Sequence, residues 1–446
     1  MSTIVALSTP RGRGALAVVR LSGPLAINIA TQMAGLGDIE PRKAKLTKLS
    51  KNDQVIDEVI LTCFLAPHSL TGEDVVEISC HGTPAVVRQI VDRTLELGAA
   101  LAGPGEFTLR ALSNSKINLA QAEAIRDLIA AQTDAAVKQA TRQMNGELSN
   151  ALNPFKEKLI DVIVLLESAL EFVEDDLPEP RVNEVEEILT SVIAGIEKLS
   201  ASFSAGRLLQ DGARVTIAGR PNVGKSSLFN SLVAHERAIV TEFPGTTRDT
   251  LSEAIDLGGI PLILTDTAGV RETSDGIETL GIERTHRALS DADLVLVVID
   301  GSEEVGPSDR DLLSQTSESR RLVVMNKSDL PSFKGTESCV GAGRTINVSA
   351  RTGEGLDYLR TAMLESLNSA GVEDQGLLIT NVRHYDLLCR TKQDLELAQA
   401  ALRDRHSEEL VLVPLHNALK YLGQITGETT TEDILSEIFA TFCIGK

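Results

Sequence analysis

The sequence predicts a multidomain protein of mixed α/β and α class. A small α+β domain at the amino end precedes a helical domain, and into that helical domain is inserted a P-loop domain with a mostly parallel sheet flanked by helices. Three observations predict this. The 446 residues exceed what one core usually supports. The spacing of apolar residues changes from strand-like to helical near residue 116. The stretch GRPNVGKSS, residues 219–227, lies between a strand-like run, RVTIAG, and a helix start, SSLFNSLV, which is the context a phosphate loop needs.

Residues 1–115 hold short β-rich runs, ALAVVRLSG, DEVILTCFLA and DVVEISCHG, separated by Gly and Pro. From 116 to 211 the pattern is helical, through INLAQAEAIRDLIAAQTDAAVKQATRQM and LNPFKEKLIDVIVLLESALEFV. The acidic EDDLPEPRVNEV then reads as a solvated connection before another helix, VEEILTSVIAGIEKL. Residues 212–369 alternate strands and helices. Residues 370–446 return to helices, HYDLLCRTKQDLELAQAAL and ELVLVPLHNALKYLGQIT, so the helical domain is expected to be discontinuous.

Four further motifs follow the phosphate loop in the order that a guanine-nucleotide site requires. Gly219 and Gly224 bracket a loop whose N–H groups, with Asn222 and Val223, surround phosphate oxygens; Lys225 reaches the outer phosphates, Ser226 ligates Mg²⁺, and Ser227 continues the helix. The segment Thr241, Glu242, Phe243, Pro244, Gly245, Thr246 supplies further contacts, and Thr247 in GTTRD is a second hydroxyl for Mg²⁺. DTAG places Asp266 at a strand end facing the metal, with Thr267, Ala268 and Gly269 near the γ-phosphate. NKSD follows LVVM. Its Asn326, Lys327 and Asp329, with Ser349, Ala350 and Arg351 of the next loop, form the base pocket, because a carboxylate accepts from the guanine N–H edge and adenine offers no such edge. These residues make the chain a GTP-binding hydrolase. After DTAG stands Val270, which cannot orient water as the Ras-type glutamine does. Another polar group is required, and Glu272, Asp275, Glu278 and Glu283 all lie downstream.

Composition narrows the remaining functions. Hydrophobic residues make up 42% and charged residues 24%, an ordinary soluble balance, and no stretch approaches the roughly 18 uncharged apolar residues of a membrane span. The first residues lack a secretory pattern, and five cysteines without metal-ligand spacing suit reduced thiols, so a cytoplasmic protein is expected. A formal charge of −20 argues against coating nucleic acid by bulk electrostatics, and with no Trp and three Tyr, stacking platforms are scarce. Cys443, in the ending TFCIGK, is not a prenylation box because Gly445 breaks the pattern.

RGRGALAVVRLSG, LTGEDVVEISCHG, PGEFTLRALSNSKINLAQAEAI, the GTPase motifs and CIGK together resemble the MnmE (TrmE) family of tRNA modification GTPases over essentially the whole chain. The resemblance implies a folate-binding and dimerising amino-terminal domain, a helical domain and an inserted Ras-like GTPase domain. It implies a homodimer that forms a heterotetramer with the FAD- and NADH-dependent flavoprotein MnmG (GidA). That complex adds an aminomethyl or carboxymethylaminomethyl group at C5 of the wobble uridine of tRNA, with 5-formyl- or methylene-tetrahydrofolate as one-carbon source. It also implies K⁺ ligands at Asn222, Thr241, Phe243 and Thr246, a water-orienting acid at Glu278, and folate contacts from Arg20, Glu77, Lys116 and Lys446, with Cys443 near that pocket as a candidate catalytic thiol.

Two other readings compete. One is a regulatory RNA-binding GTPase of the ribosome-assembly kind, which a basic appendage after the GTPase domain would favour; the acidic helical end does not supply one. The other is a folate-dependent transferase acting alone, with GTP only a structural ligand.

Overall fold

The computed structural model describes residues 2–52, 54–171, 179–235, 237–238, 252–266, 288–334, 343–367 and 376–445. Contacts divide the chain into two compact units, one of residues 1–126, 143–153 and 419–446, the other of residues 127–142 and 154–418.

In the first unit, alternation shapes the sheet. Strands β1 (Ile4–Leu7), β2 (Leu16–Ser22), β3 (Lys45–Lys51), β4 (Gln54–Phe64), β5 (Val75–His81) and β6 (Ala100–Leu101) pair in the order β3-β4-β5-β2-β1-β6 among the described residues; every pairing is antiparallel except β1 with β6. One face turns Ala17, Val19, Leu21, Val59, Leu61, Val76, Ile78 and Cys80 inward, every second residue along its strand. Helices α1 (Ala26–Ala34) and α2 (Pro84–Glu96) contribute Ile29, Met33 and Ile90 to the same core. Helix α2 starts with Pro84 in its first turn and Thr83 accepting from the Val86 N–H, so its orphan donors are few. Burial pushes the Cys80 thiol up to about 11, the behaviour of an inert core cysteine.

Helix α3 (Glu106–Ser113) buries Phe107 and Arg110. The Arg110 guanidinium donates to Glu73 (3.0 Å), Glu106 (2.8 Å) and the Ser2 carbonyl (2.8 Å), while Glu73 also accepts from the Ser22 hydroxyl (2.7 Å). Removing one partner of a buried pair leaves the other charge uncompensated. Arg110→Met is therefore expected to lower unfolding free energy by about 3 kcal/mol in a denaturant titration.

Next come α4 (Leu119–Ala130), α5 (Asp134–Met144), α6 (Glu147–Glu171), α7 (Glu179–Ala201) and α8 (Phe203–Asp211). The helical run expected through 116–144 is broken between Ala130 and Asp134, where Thr133 uses its hydroxyl to accept from the Ala136 N–H and donate to the Gly259 carbonyl. The expected solvated connection is shorter than the sequence suggested, because α7 already begins at Glu179. Pro180 falls in its first turn, where a missing N–H costs nothing.

The run Arg181–Asp211 is, among the described residues, the one helical stretch long and apolar enough to cross a bilayer by length and composition alone. In the fold, α7 is amphipathic. Val185, Leu189, Val192 and Ile196 form one buried stripe, whereas Glu184, Glu187, Glu197 and Lys198 are exposed.

The second unit carries another sheet, with β7 (Ala213–Ala218), β8 (Arg237–Ala238), β9 (Ser252–Leu257), β10 (Ile260–Asp266), β11 (Leu294–Asp300), β12 (Arg321–Asn326) and β13 (Thr345–Asn347) in the order β13-β12-β11-β7-β10-β9-β8. The run β13 to β10 is parallel and β9 is antiparallel to its neighbours. Every residue of β11 is buried, as expected for a strand covered on both faces. Helices α9 (Lys225–His235), α10 (Pro307–Gln315) and α11 (Leu356–Ser366) belong to this domain. Helices α12 (Val382–Arg403), α13 (Glu408–Thr426) and α14 (Glu432–Ala440) follow it. The carboxyl ends of β7, β10, β11 and β12 lie where parallel α/β sheets hold ligands.

Candidate functional site

The phosphate loop leaves the end of β7 and enters α9 at Lys225. Asn222 has φ +66° and Gly224 φ +96°, the alternating backbone that turns successive N–H groups toward one concavity. The glycines answer to separate constraints. A Cβ at Gly219 would lie 2.5 Å from the Val298 carbonyl oxygen of β11, and one at Gly224 would lie 2.2 Å from Asn326 Nδ2. Val223 is buried in the domain core, and Lys225 is buried with its Nζ donating to the Arg220 carbonyl at 2.8 Å. Ser226 Oγ donates to Asp266 Oδ2 at 2.8 Å, which joins the two motifs expected at the metal. Ser227 is exposed in the first turn of α9.

The base motif is tied to the phosphate loop. Asn326, buried, donates from Nδ2 to the Val223 carbonyl (2.8 Å) and accepts at Oδ1 from the Ala350 N–H (3.0 Å). Asp329 accepts from Ser349 Oγ at 2.7 Å, and Ser349 Oγ itself accepts from the Thr352 N–H at 3.1 Å. Arg351 is exposed beside them. Lys327 adopts φ +71° and pairs with Asp300 at 2.5 Å.

Sequence reasoning passed over Asp300, although an acid closing the apolar run LVLVVI was a visible signal. It also left Arg220 unassigned. The Arg220 guanidinium donates to Glu303 at 2.5 Å and lies 3.5 Å from Asp309, and the Glu303 hydrogen bond raises its pKa above the usual range. Its charge is thus taken up by carboxylates.

In the first unit, Arg20 and Glu77 are cross-strand neighbours on β2 and β5. Arg20 Nε and Nη2 donate to Glu77 Oε1 at 2.9 and 2.7 Å, and the guanidinium lies 5.8 Å from the centre of the Phe107 ring. The tail packs on this pair. The Gly445 carbonyl accepts from Ser8 Oγ (3.0 Å) and Arg20 Nη1 (3.4 Å), Ile444 bridges to Pro104, and the Cys443 carbonyl accepts from the Gly105 N–H. Gly445 has φ +96°, and a Cβ there would lie 2.2 Å from the Leu7 carbonyl oxygen. Cys443 has an exposed side chain, and Lys116 donates to the Pro67 carbonyl at 2.9 Å.

The structure therefore brings together Asn222, Val223, Gly224, Lys225, Ser226, Asp266, Asn326, Asp329, Ser349 and Ala350 in one unit, and Arg20, Glu77 and the tail backbone in the other. Thr241, Glu242, Phe243, Pro244, Gly245, Thr246, Thr247, Thr267, Ala268, Gly269, Glu278 and Lys446 lie outside the described residues.

Residues 3–116 match the family model of the GTP-binding protein TrmE N-terminus, and residues 119–443 match that of the MnmE helical domain. The chain is 43% identical to the tRNA modification GTPase MnmE of Koribacter versatilis across 100% of its own length and 99% of that protein. Identity is 44% to the protein of the same name from Nitrosomonas europaea, over 100% and 99%, and 41% to that of Aquifex aeolicus, over 99% of each. Among solved structures, the G domain of the T. maritima FeoB iron transporter is 27% identical, with 34% of this chain and 98% of that one covered and a TM-score of 0.28. With both family models matched and identity above 40% from end to end, this chain belongs to the MnmE family of tRNA modification GTPases.

Proposed function

We propose that the chain hydrolyses GTP as part of a complex with MnmG that adds a carboxymethylaminomethyl or aminomethyl group at C5 of the wobble uridine of certain tRNAs. The observation that carries this reading is full-length similarity to proteins named for tRNA modification, in a chain whose phosphate loop, Asp266 and base motif are hydrogen-bonded into one site. A ribosome-assembly role is disfavoured, since both family models belong to the modification family. In this reading a folate-binding and dimerising domain, residues 1–115, precedes a helical domain of residues 116–211 and 370–446, with the GTPase domain, residues 212–369, inserted, and the protein acts in the cytoplasm as a homodimer. Helices on both sides of the parallel sheet in chain order support the insertion.

The Ser226 hydroxyl beside the Asp266 carboxylate is an oxygen donor set suited to Mg²⁺, with Thr247 as the second hydroxyl. Asn222, exposed in the phosphate loop, would hold K⁺ with Thr241, Phe243 and Thr246. Bound there, the two cations supply positive charge where negative charge develops on the transferring phosphoryl group. Because Arg220 is engaged by Glu303 and Asp309, the one arginine in the phosphate loop does not serve as an arginine finger. Lys225 and the loop N–H groups hold the β- and γ-phosphates, and Glu278 orients the attacking water.

In the amino-terminal domain, Arg20, Glu77, Lys116 and Lys446 would hold a tetrahydrofolate, which supplies the one-carbon unit. The carboxylate and guanidinium of Glu77 and Arg20, side by side and half-buried, offer both an acceptor and donors for a pterin edge.

Steady-state GTP hydrolysis in matched KCl and NaCl tests the cation assignment. Turnover is expected to rise roughly 10- to 100-fold in K⁺. Equal rates would remove K⁺ from the mechanism and point to an activating partner. Glu278→Ala is expected to bind GTP normally while turnover falls about 10²- to 10³-fold; native turnover in that variant would discard Glu278 as the orienting acid.

A further inference from the structure

We propose that Asp300 is a positioning residue for guanine-nucleotide binding: it fixes Lys327, and through Lys327 the base-recognition loop, without touching the nucleotide. The proposal rests on the assignment of residues 326–329 to the guanine pocket.

Asp300 ends β11 directly beside Asn326 of β12 in the parallel register. Its side chain is 4% exposed and both oxygens are occupied. Oδ1 accepts from the Ser302 N–H (3.0 Å) and Oγ (2.6 Å), and Oδ2 accepts from Lys327 Nζ (2.5 Å). Burial alone would raise the pKa of this carboxyl group; the hydrogen bonds from Lys327 and Ser302 outweigh burial and hold it below its ordinary value.

Lys327 needs such an anchor. Its φ of +71° is one that long side chains rarely adopt, and it persists only where the surroundings impose it. The neighbouring backbone is locked in the same way. The Gly301 N–H donates to the Asn326 carbonyl (2.9 Å), the Lys334 N–H donates to the Gly301 carbonyl (2.8 Å), and a Cβ at Gly301 would lie 2.1 Å from the Phe333 ring. Residues 300–302 and 326–334 thus form one interlocked piece. The strained turn at Lys327 sets the direction in which the chain reaches Asp329 and meets Ser349. Without the ion pair, Lys327 relaxes toward negative φ and the Asp329 carboxylate leaves its alignment. Base affinity then falls alike for GTP and GDP, while the phosphate-binding groups, on a separate loop, keep their chemistry.

The test is release of a fluorescent GDP analogue from the full-length protein. Asp300→Asn is expected to release it roughly 10-fold faster, because truncating one partner of a hydrogen-bonded charge pair acts on dissociation. The KM for GTP should rise, with kcat within about twofold of native. Lys327→Met should also speed release, and the double variant should release no faster than Lys327→Met alone, since Asp300 acts only through Lys327. Native release in Asp300→Asn, or additive effects in the double variant, would overturn the proposal. If Asp300→Asn does not fold, Ser302→Ala carries the test: release about threefold faster supports the role, and an unchanged rate refutes it. Asp329→Asn, run alongside, separates the two assignments. Retained guanine preference there would sink the pocket itself. A switch of base preference together with native release in Asp300→Asn would sink the role of Asp300 alone.

Discussion

Replacing Asp329 with asparagine is expected to weaken GTP binding by roughly 10²- to 10⁴-fold and to move preference toward xanthosine nucleotides. One carboxylate oxygen, Oδ1, already accepts from Ser349 Oγ at 2.7 Å, which orients the group and leaves its remaining acceptor sites for the base. Two hydrogen bonds from the guanine N–H edge to a charged acceptor are each worth about 1.5–3 kcal/mol. An amide in that place keeps one acceptor but sets an NH₂ donor against a donor on the base. Xanthine carries a carbonyl where guanine carries its amino group, so the same amide gains a partner. Competition binding of GTP and XTP to the native and variant proteins measures the switch, and an unchanged preference for GTP would show that Asp329 does not read the base.

Gly224→Ala should abolish nucleotide binding for a different physical reason. The added methyl would sit 2.2 Å from Asn326 Nδ2 on a backbone with φ +96°, so both the contact and the conformation are unfavourable. Asn326 has no freedom to withdraw, because it is held by the Val223 carbonyl on one side and the Ala350 N–H on the other. Either the phosphate loop opens or the base loop loses its tie, and the ligand meets a site damaged at both ends. A fall in GDP affinity of about 10³-fold or more is expected by titration calorimetry. The added methyl meets the Asn326 amide and not the apolar side chains of the sheet core, so thermal unfolding of the nucleotide-free protein should fall by only a few degrees, on the order of a 1 kcal/mol change. Native GDP affinity would show that the loop accommodates a side chain at this position.

Much of the GTPase domain was legible because its motifs sit at the ends of uninterrupted apolar runs. RVTIA, IPLIL and RLVVM all became strands, and the residues that follow them lie together because parallel strands place their carboxyl ends on one edge. The helical segments were legible by period but not by boundary. Pro180 reads as a break in a linear string yet fits the first turn of α7, and Thr133, between α4 and α5, caps α5 through a hydroxyl whose second partner lies 126 positions away. Pro154 and Pro414 sit inside helices that continue past them, which periodicity favoured and local propensity opposed.

Contacts that depend on register were beyond pattern reading. That Arg20 faces Glu77 follows from how β2 pairs with β5, and that Arg110 reaches Glu73 follows from where α3 lies; nothing in the local strings fixes either. Family resemblance singled out Arg20 and Glu77 but gave no reason for their bond. Asp300 was missed because an acid ending a buried strand looks like an ordinary loop residue until its partner is seen.

The tail has a consequence for biosynthesis. Gly445 meets Ser8 and Arg20 across separations of 437 and 425 positions, so these contacts of the amino-terminal sheet wait for a residue that a ribosome adds long after the strands it meets. The strands of the first unit emerge early and can pair while translation proceeds, because domains form as units in the order of synthesis. The bonds from Ser8 and Arg20 to the Gly445 carbonyl form only once position 445 has left the exit tunnel. A polypeptide cut short before Gly445 would therefore present its amino-terminal strands without these two contacts, and only a chain translated through to that glycine would make them.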